Sequence, residues 1–188
     1  MRIFKLHPKF DAKGENLTAW VDDGTTLMDL PHDRMGSVAD DWPTDLSFPM
    51  GESGNSVGDI LFNPDGLIFS ELVRQTLDPI LRDTVQWLPL TVLQHGAHYM
   101  LHPLRSVDLG ADSDVHINGV SKNVTVVRSY HFGSPSDLPE CFMLNQPVGS
   151  AARNGGFCMR GIYVGQTVHD TLERFTGVDF TLVFDSDS

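Results

Sequence analysis

Three histidines, His95, His98 and His102, form an H-x2-H-x3-H array, and three imidazoles are a donor set that suits zinc. On a helix, His98 and His102 would share one face at i and i+4. The run from 98 to 104 reads instead as a strand, with His98, Met100 and His102 on one side and Tyr99 and Leu101 on the other. Four residues at roughly 3.3 Å each would set the two Cα atoms about 13 Å apart, too far to chelate one ion. The expectation is ordinary edge or surface histidines, with no metal and no cofactor.

Other chemistry-bearing residues fall into no working pattern. His131 with Ser134, Ser136 and Asp137 resembles a hydrolase set only in composition, and Pro135 marks an ordinary turn there. The glycines at 110, 119, 155, 156, 161 and 165 match neither G-x-G-x-x-G nor a Walker loop. Cys141 and Cys158 read as reduced thiols. Cys158, in the run Asn154-Gly155-Gly156-Phe157-Cys158, is expected to be buried and inert. No two acids stand out as a pair with divergent environments. The chain is therefore not read as an enzyme.

Charge is more informative. The formal net of -12 argues against nucleic acid as a direct partner, since phosphate contacts need clustered Lys and Arg. Between Asp22 and Asp65 ten acids face the single Arg34, so this stretch holds -9 of the total. Within it, Asp40-Asp41-Trp42-Pro43-Thr44-Asp45 sets an aromatic residue among acids. Trp is enriched at binding hot spots, and Asp can pair with Arg or Lys. The expected protein-binding residues are Asp22, Asp23, Asp40, Asp41 and Asp45, which would steer a basic partner, and Trp42, which would anchor it. Residue type leaves two alternatives open: a solvated acidic loop, and a Trp42 that only pins that loop to the body.

The elements that must carry these residues come from periodicity and turn chemistry. Strands are expected at Arg2 to Leu6, Leu17 to Val21, Val85 to Val92, His98 to Leu104, Val124 to Phe132, Cys141 to Leu144, Arg160 to Val164 and from Val178 to the end. Asn63-Pro64-Asp65-Gly66 reads as a tight turn between Ile60-Leu61-Phe62 and Leu67-Ile68-Phe69. Ser70 caps a helix ending near Asp78, before Pro79, and a second helix runs from about Gln166 to Phe175 with Gly177 as its C′ residue. The core list is Leu72, Leu77, Tyr99, Leu101, Val126, Leu172, Phe180 and Leu182. No internal repeat is evident. The fold class is α+β: a mainly antiparallel twisted sheet with two packed helices and a long, irregular, acidic N-terminal segment. Residues 1–56 supply strands and that segment and 57–188 the body, as one compact domain. No apolar run approaches the roughly 20 residues of a membrane span, and the first residues lack a secretory apolar region, so a soluble, cytoplasmic protein without a membrane partner is expected.

The order of segments resembles an immunity-protein family of bacterial polymorphic toxin systems, immunity family eleven, formerly a domain of unknown function. The residues that carry it are the Phe-Lys-Leu run in the first strand, Val57-Gly58-Asp59-Ile60, Leu67-Ile68-Phe69-Ser70-Glu71, Leu88-Pro89-Leu90, the stretch from Tyr99 to Asp108, and a closing helix-Gly-strand ending in Phe184. It is strongest over 57 to 185 and poor over 22 to 56. The resemblance implies a cytoplasmic protein that binds and neutralises a cognate toxin encoded next to it, and it brings no catalytic residues. The alternatives are a small metal-dependent hydrolase using His95, or a structural subunit. A toxin that is itself acidic would dock instead on Arg105, Arg128, Arg153 or Arg160.

Overall fold

The computed structural model describes residues 1–9, 18–19, 21–22, 30, 36–51, 57–63, 66–117, 124–145 and 161–187. The expectations placed on Leu17, Asp23, Pro64, Asp65, Arg153, Cys158 and Arg160 lie outside the described residues.

The elements are β1 Arg2–Pro8, β2 Ser47–Phe48, β3 Ile60–Asn63, β4 Gly66–Ser70, α1 Glu71–Leu81, β5 Val85–Val92, β6 Gly96–Pro103, β7 Ser106–Val107, β8 Asp114–Ile117, β9 Val124–Ser129, β10 Cys141–Leu144, β11 Ile162–Gly165, α2 Gln166–Leu172 and β12 Val178–Asp185. The antiparallel-rich α+β architecture expected from the sequence is present, divided over two five-stranded sheets. One has the order β2-β5-β6-β4-β3, the other β12-β1-β11-β10-β7, and β8 pairs with β9. From the N-terminal part, β1 lies between β11 and β12 of the second sheet.

One buried cluster joins both sheets and both helices through Phe4, Leu6, Phe69, Leu77, Leu101, Cys141, Val164 and Leu172. A second covers the other face of the first sheet, and a third, around Phe142 and Tyr163, the other face of the second. On α1 the buried residues Val73, Leu77 and Leu81 recur every four positions, which leaves Leu72 turned away at 60% exposure. Val126, in the β8–β9 ribbon, and Leu182, on the edge strand β12, are also about half exposed rather than core. Pro79 does not end α1: the helix runs on to Leu81 because burying Leu81 outweighs the one hydrogen bond that a proline cannot donate. Ser70 is the N-cap, accepting from the Val73 N–H at a long 3.5 Å.

The two sheets contain the same unit twice, which corrects the expectation of no repeat. Gly66 to Leu77 and Gly161 to Leu172 each form strand then helix, and both keep Gly, Val, Thr and Leu at matching places (Gly66/Gly161, Val73/Val168, Thr76/Thr171, Leu77/Leu172). The Leu101-His102-Pro103 run of β6 matches Leu6-His7-Pro8 of β1. Strand registers agree independently. Phe69 opposes Tyr99 as Val164 opposes Phe4, Ile60 opposes Phe69 as Cys141 opposes Val164, and Val85 opposes Pro103 as Val178 opposes Pro8. The Ser70 N–H donates to Asp59 O at 2.9 Å as the Gly165 N–H donates to Glu140 O at 3.0 Å. Arg74 lies over the Tyr99 ring as His169 stacks on Phe4. Unit one is β3-β4-α1-β5-β6. Unit two is β10-β11-α2-β12 and takes its inner strand, β1, from the start of the chain.

The units differ at their helix N-termini. Unit one uses the Ser70 hydroxyl, whereas in unit two Thr167 Oγ1 donates to Glu140 Oε1 at 3.3 Å and the carboxylate sits against the first turn of α2. A Cβ at residue 165 would lie 2.5 Å from Glu140 Oε2, which is why glycine stands where unit one has serine.

Candidate protein-binding face

The acidic segment is not loose. Residues 36–50 cross the outer face of the first sheet, with Val38, Trp42 and Phe48 buried against Leu61, Ile68, Leu88, Leu90, Val92 and Met100. Four sets of polar contacts hold it there. His102 Nε2 donates to Gly36 O at 2.7 Å, the Val38 N–H donates to Gln86 Oε1 at 2.9 Å, and the Trp42 indole N–H donates to Pro89 O at 2.8 Å. Ser47–Phe48 pairs in parallel with Thr91 and Val92, with the Thr91 and Leu93 N–H groups donating to Leu46 O and Phe48 O at 2.8 Å. A single turn of 3-10 helix at Ala39–Asp41 turns the backbone before Trp42 enters the core.

This arrangement corrects the anchor role expected for Trp42. At 5% exposure, with its N–H bonded inside the protein, it pins the segment to the body and offers no surface to a partner. The neighbouring acids behave differently. Asp40, Asp41 and Asp45 are exposed, as is Asp22, whose N–H donates to Pro49 O at 3.0 Å next to the Val21–Met50 bridge. Apolar residues of the segment thus face the sheet, while its carboxylates face solvent on a backbone held at several points.

The histidines are also not where expected. His98 and His102 are buried on a central strand rather than lying at an edge or on the surface, and His98 Nδ1 donates to Gly96 O at 3.1 Å. His95 is exposed in the turn between β5 and β6. The array that suggested zinc is in part the tether of the acidic segment. His131 is exposed, and no hydrogen bond joins its ring to Ser134, Ser136 or Asp137; the Ser136 hydroxyl bonds to Asp137 at 3.2 Å.

Sequence reasoning missed one cluster. His169 and Asp170 on α2 and Glu173 at its C-cap bring ligand-type atoms within 4.8 Å of one another. Asp170 Oδ1 is 2.9 Å from His169 Nδ1, Glu173 Oε1 is 3.7 Å from His169 Nε2, and the ring lies between Phe4 and Phe180. The hydrogen bond from His169 holds the Asp170 carboxyl below its ordinary range. The i, i+1, i+4 spacing carried this signal, but helical residues of these types are common on solvated faces.

Burial pushes the His98 imidazole below its ordinary value of 6.5, with His95 adding to the effect and the Gly96 carbonyl opposing it. A base depressed in the folded state binds protons more readily when unfolded. Its stabilisation is complete above roughly pH 6.5 and is lost as pH falls through the lower folded value. The urea midpoint is therefore expected to drop between about pH 7.5 and 5.5, and to drop less in His98→Gln; equal drops in both proteins would remove His98 as the cause.

The chain matches no protein-family model, and no curated protein matches it. Among the described residues no helix is long and apolar enough to cross a membrane.

Proposed function

We propose that this chain is an immunity protein that binds a cognate toxin encoded next to it and neutralises it by stoichiometric protein–protein inhibition in the cytoplasm. The observation that supports this reading best is the pinned acidic segment. Asp40, Asp41 and Asp45 project from a backbone already ordered by His102, Gln86, Pro89 and β5. A preordered surface loses little conformational freedom on binding, and a face of one sign raises association rates with an oppositely charged partner roughly ten- to a thousandfold. An inhibitor that must reach its toxin before damage is done gains from both. The order of segments that resembles immunity family eleven points the same way.

The test is the association rate with the product of the neighbouring gene. Changing Asp40, Asp41 and Asp45 together to Asn is expected to slow association by about tenfold at low salt and to flatten its salt dependence, with little effect on dissociation. An unchanged rate and an unchanged salt slope would move the interface elsewhere, with Arg105 and Arg128 the next residues to vary.

A further inference from the structure

The repeat exposes a difference at the last strand of each unit. In unit one the outer edge of β5 is occupied: Ser47–Phe48 pairs with it, and Pro89 O takes the Trp42 indole N–H. The equivalent strand, β12, is an eight-residue edge whose ladder partner is β1. Among the described residues, no backbone–backbone hydrogen bond reaches its outer edge between Val178 and Phe184.

The direction of that edge can be read from two residues. Pro89 has no N–H to give to β6, and its place is taken in unit two by Leu182, since Pro89 opposes Tyr99 and Leu182 opposes Phe4. The Phe180 N–H, two residues before Leu182, donates to the Asp179 carboxylate at 2.9 Å and so points away from β1. Alternate residues of an antiparallel strand share one direction, so the backbone groups of Leu182 also point outward. The Leu182 side chain is half exposed.

Charge selects the occupant. Asp179 lies on the strand, and Asp170 on α2 and Glu173 at its C-cap lie around the His169 ring that meets Phe180. Asp185, at the far end, is engaged by Arg2 at 2.9 Å. A second copy would bring the same acids, and a net -12, against its own; like charges on paired strands are destabilising. We infer that the outer edge of β12 is a strand-addition site for an extended, basic segment of a partner protein, with alternate apolar residues meeting Phe180 and Leu182 on the face packed by α2, where Asp170 and Glu173 lie, and Lys or Arg meeting Asp179 on the opposite face. This deepens the proposed binding function by giving the partner a second point of attachment, separate from the acidic segment.

The experiment uses two capped synthetic peptides, one alternating lysine with valine and one alternating glutamate with valine, titrated into the isotope-labelled full chain. The lysine peptide is expected to shift amides of Val178–Asp185 and α2, and to bind at least about tenfold more tightly than the glutamate peptide. Leu182→Pro, compatible with the β1 ladder as Pro89 is with that of β6, is expected to keep the amide spectrum elsewhere and lose most of the binding. Should that variant not fold, Asp179→Lys combined with Asp170→Lys is expected to reverse the preference between the peptides. The inference is overturned by shifts centred on Asp40–Asp45, by equal binding of both peptides, by no binding, or by a concentration-dependent dimer that Leu182→Pro abolishes. The peptides contain no toxin, so failure here removes the strand-edge site and leaves the inhibitor reading to its own test.

Discussion

Trp42→Ala is expected to cost about 3–5 kcal/mol, the usual range for removing a buried large aromatic side chain. The cost has two parts. The indole packs in the cluster on the outer face of the first sheet, and its N–H is the donor to Pro89 O. The effect should be uneven along the chain. Residues 38–48 lose their central pin and are expected to exchange amide hydrogens much faster than β5 and β6, which retain each other as partners. Trp42→Phe keeps a ring but not the donor, and is expected to fall between wild type and Trp42→Ala. If the segment does direct association, Trp42→Ala will slow it without any loss of charge, because Asp40, Asp41 and Asp45 no longer share a fixed backbone. Urea unfolding with hydrogen exchange by mass spectrometry separates the two effects. Uniform exchange across the chain, or a near-wild-type midpoint, would show that Trp42 does not hold the segment.

Leu77→Ala and Leu172→Ala are each expected to cost about 2–5 kcal/mol. Both residues are fully buried in the cluster that joins the two sheets, at matching positions of the repeated unit, and α1 and α2 pack together. Matching burial predicts similar costs for the two. Contact between their helices predicts that the double variant departs from the sum by about 0.5–3 kcal/mol. A near-wild-type midpoint for Leu172→Ala would mean that α2 is not part of this core. Strict additivity would mean that the helices are energetically independent despite their contact.

Much of the local structure was legible because it rests on local chemistry. Val85–Val92, Cys141–Leu144 and the closing strand were readable from alternation and β-branched content, and Ser70 from its place before a helical pattern. A strand's period shows which residues share a side. It does not show whether that side is covered, because covering comes from distant chain. His98 and His102 were grouped correctly on one side of β6 and still misjudged as surface residues, since residues 36–50 lie over that side. Trp42 was misjudged for the same reason. Leu182 shares the period of a core strand, yet it stands on an edge at a place where unit one carries an exposed proline.

The repeat was hidden by two features of the sequence. Its matching residues are few, because the unit is maintained by apolar character and register more than by identity, and many apolar combinations pack equally well. Its strands also occur in different chain order, with β6 following β5 in unit one while β1 precedes all of unit two. The separation of matching residues also changes between elements, since Phe69 and Val164 stand 164 − 69 = 95 positions apart but Ile60 and Cys141 only 141 − 60 = 81. The sequence alone determined both helices and most of the longer strands, the α+β class and the concentration of carboxylates between Asp22 and Asp65, because caps, turns, strand period and charge are properties of neighbouring residues; β2, β7 and β8 escaped it. Tertiary structure alone decided which apolar and histidine side chains are buried, that Trp42 faces inward, that β1 completes the second sheet, and that β12 lies at the end of its sheet, because each depends on contacts between residues far apart in the chain.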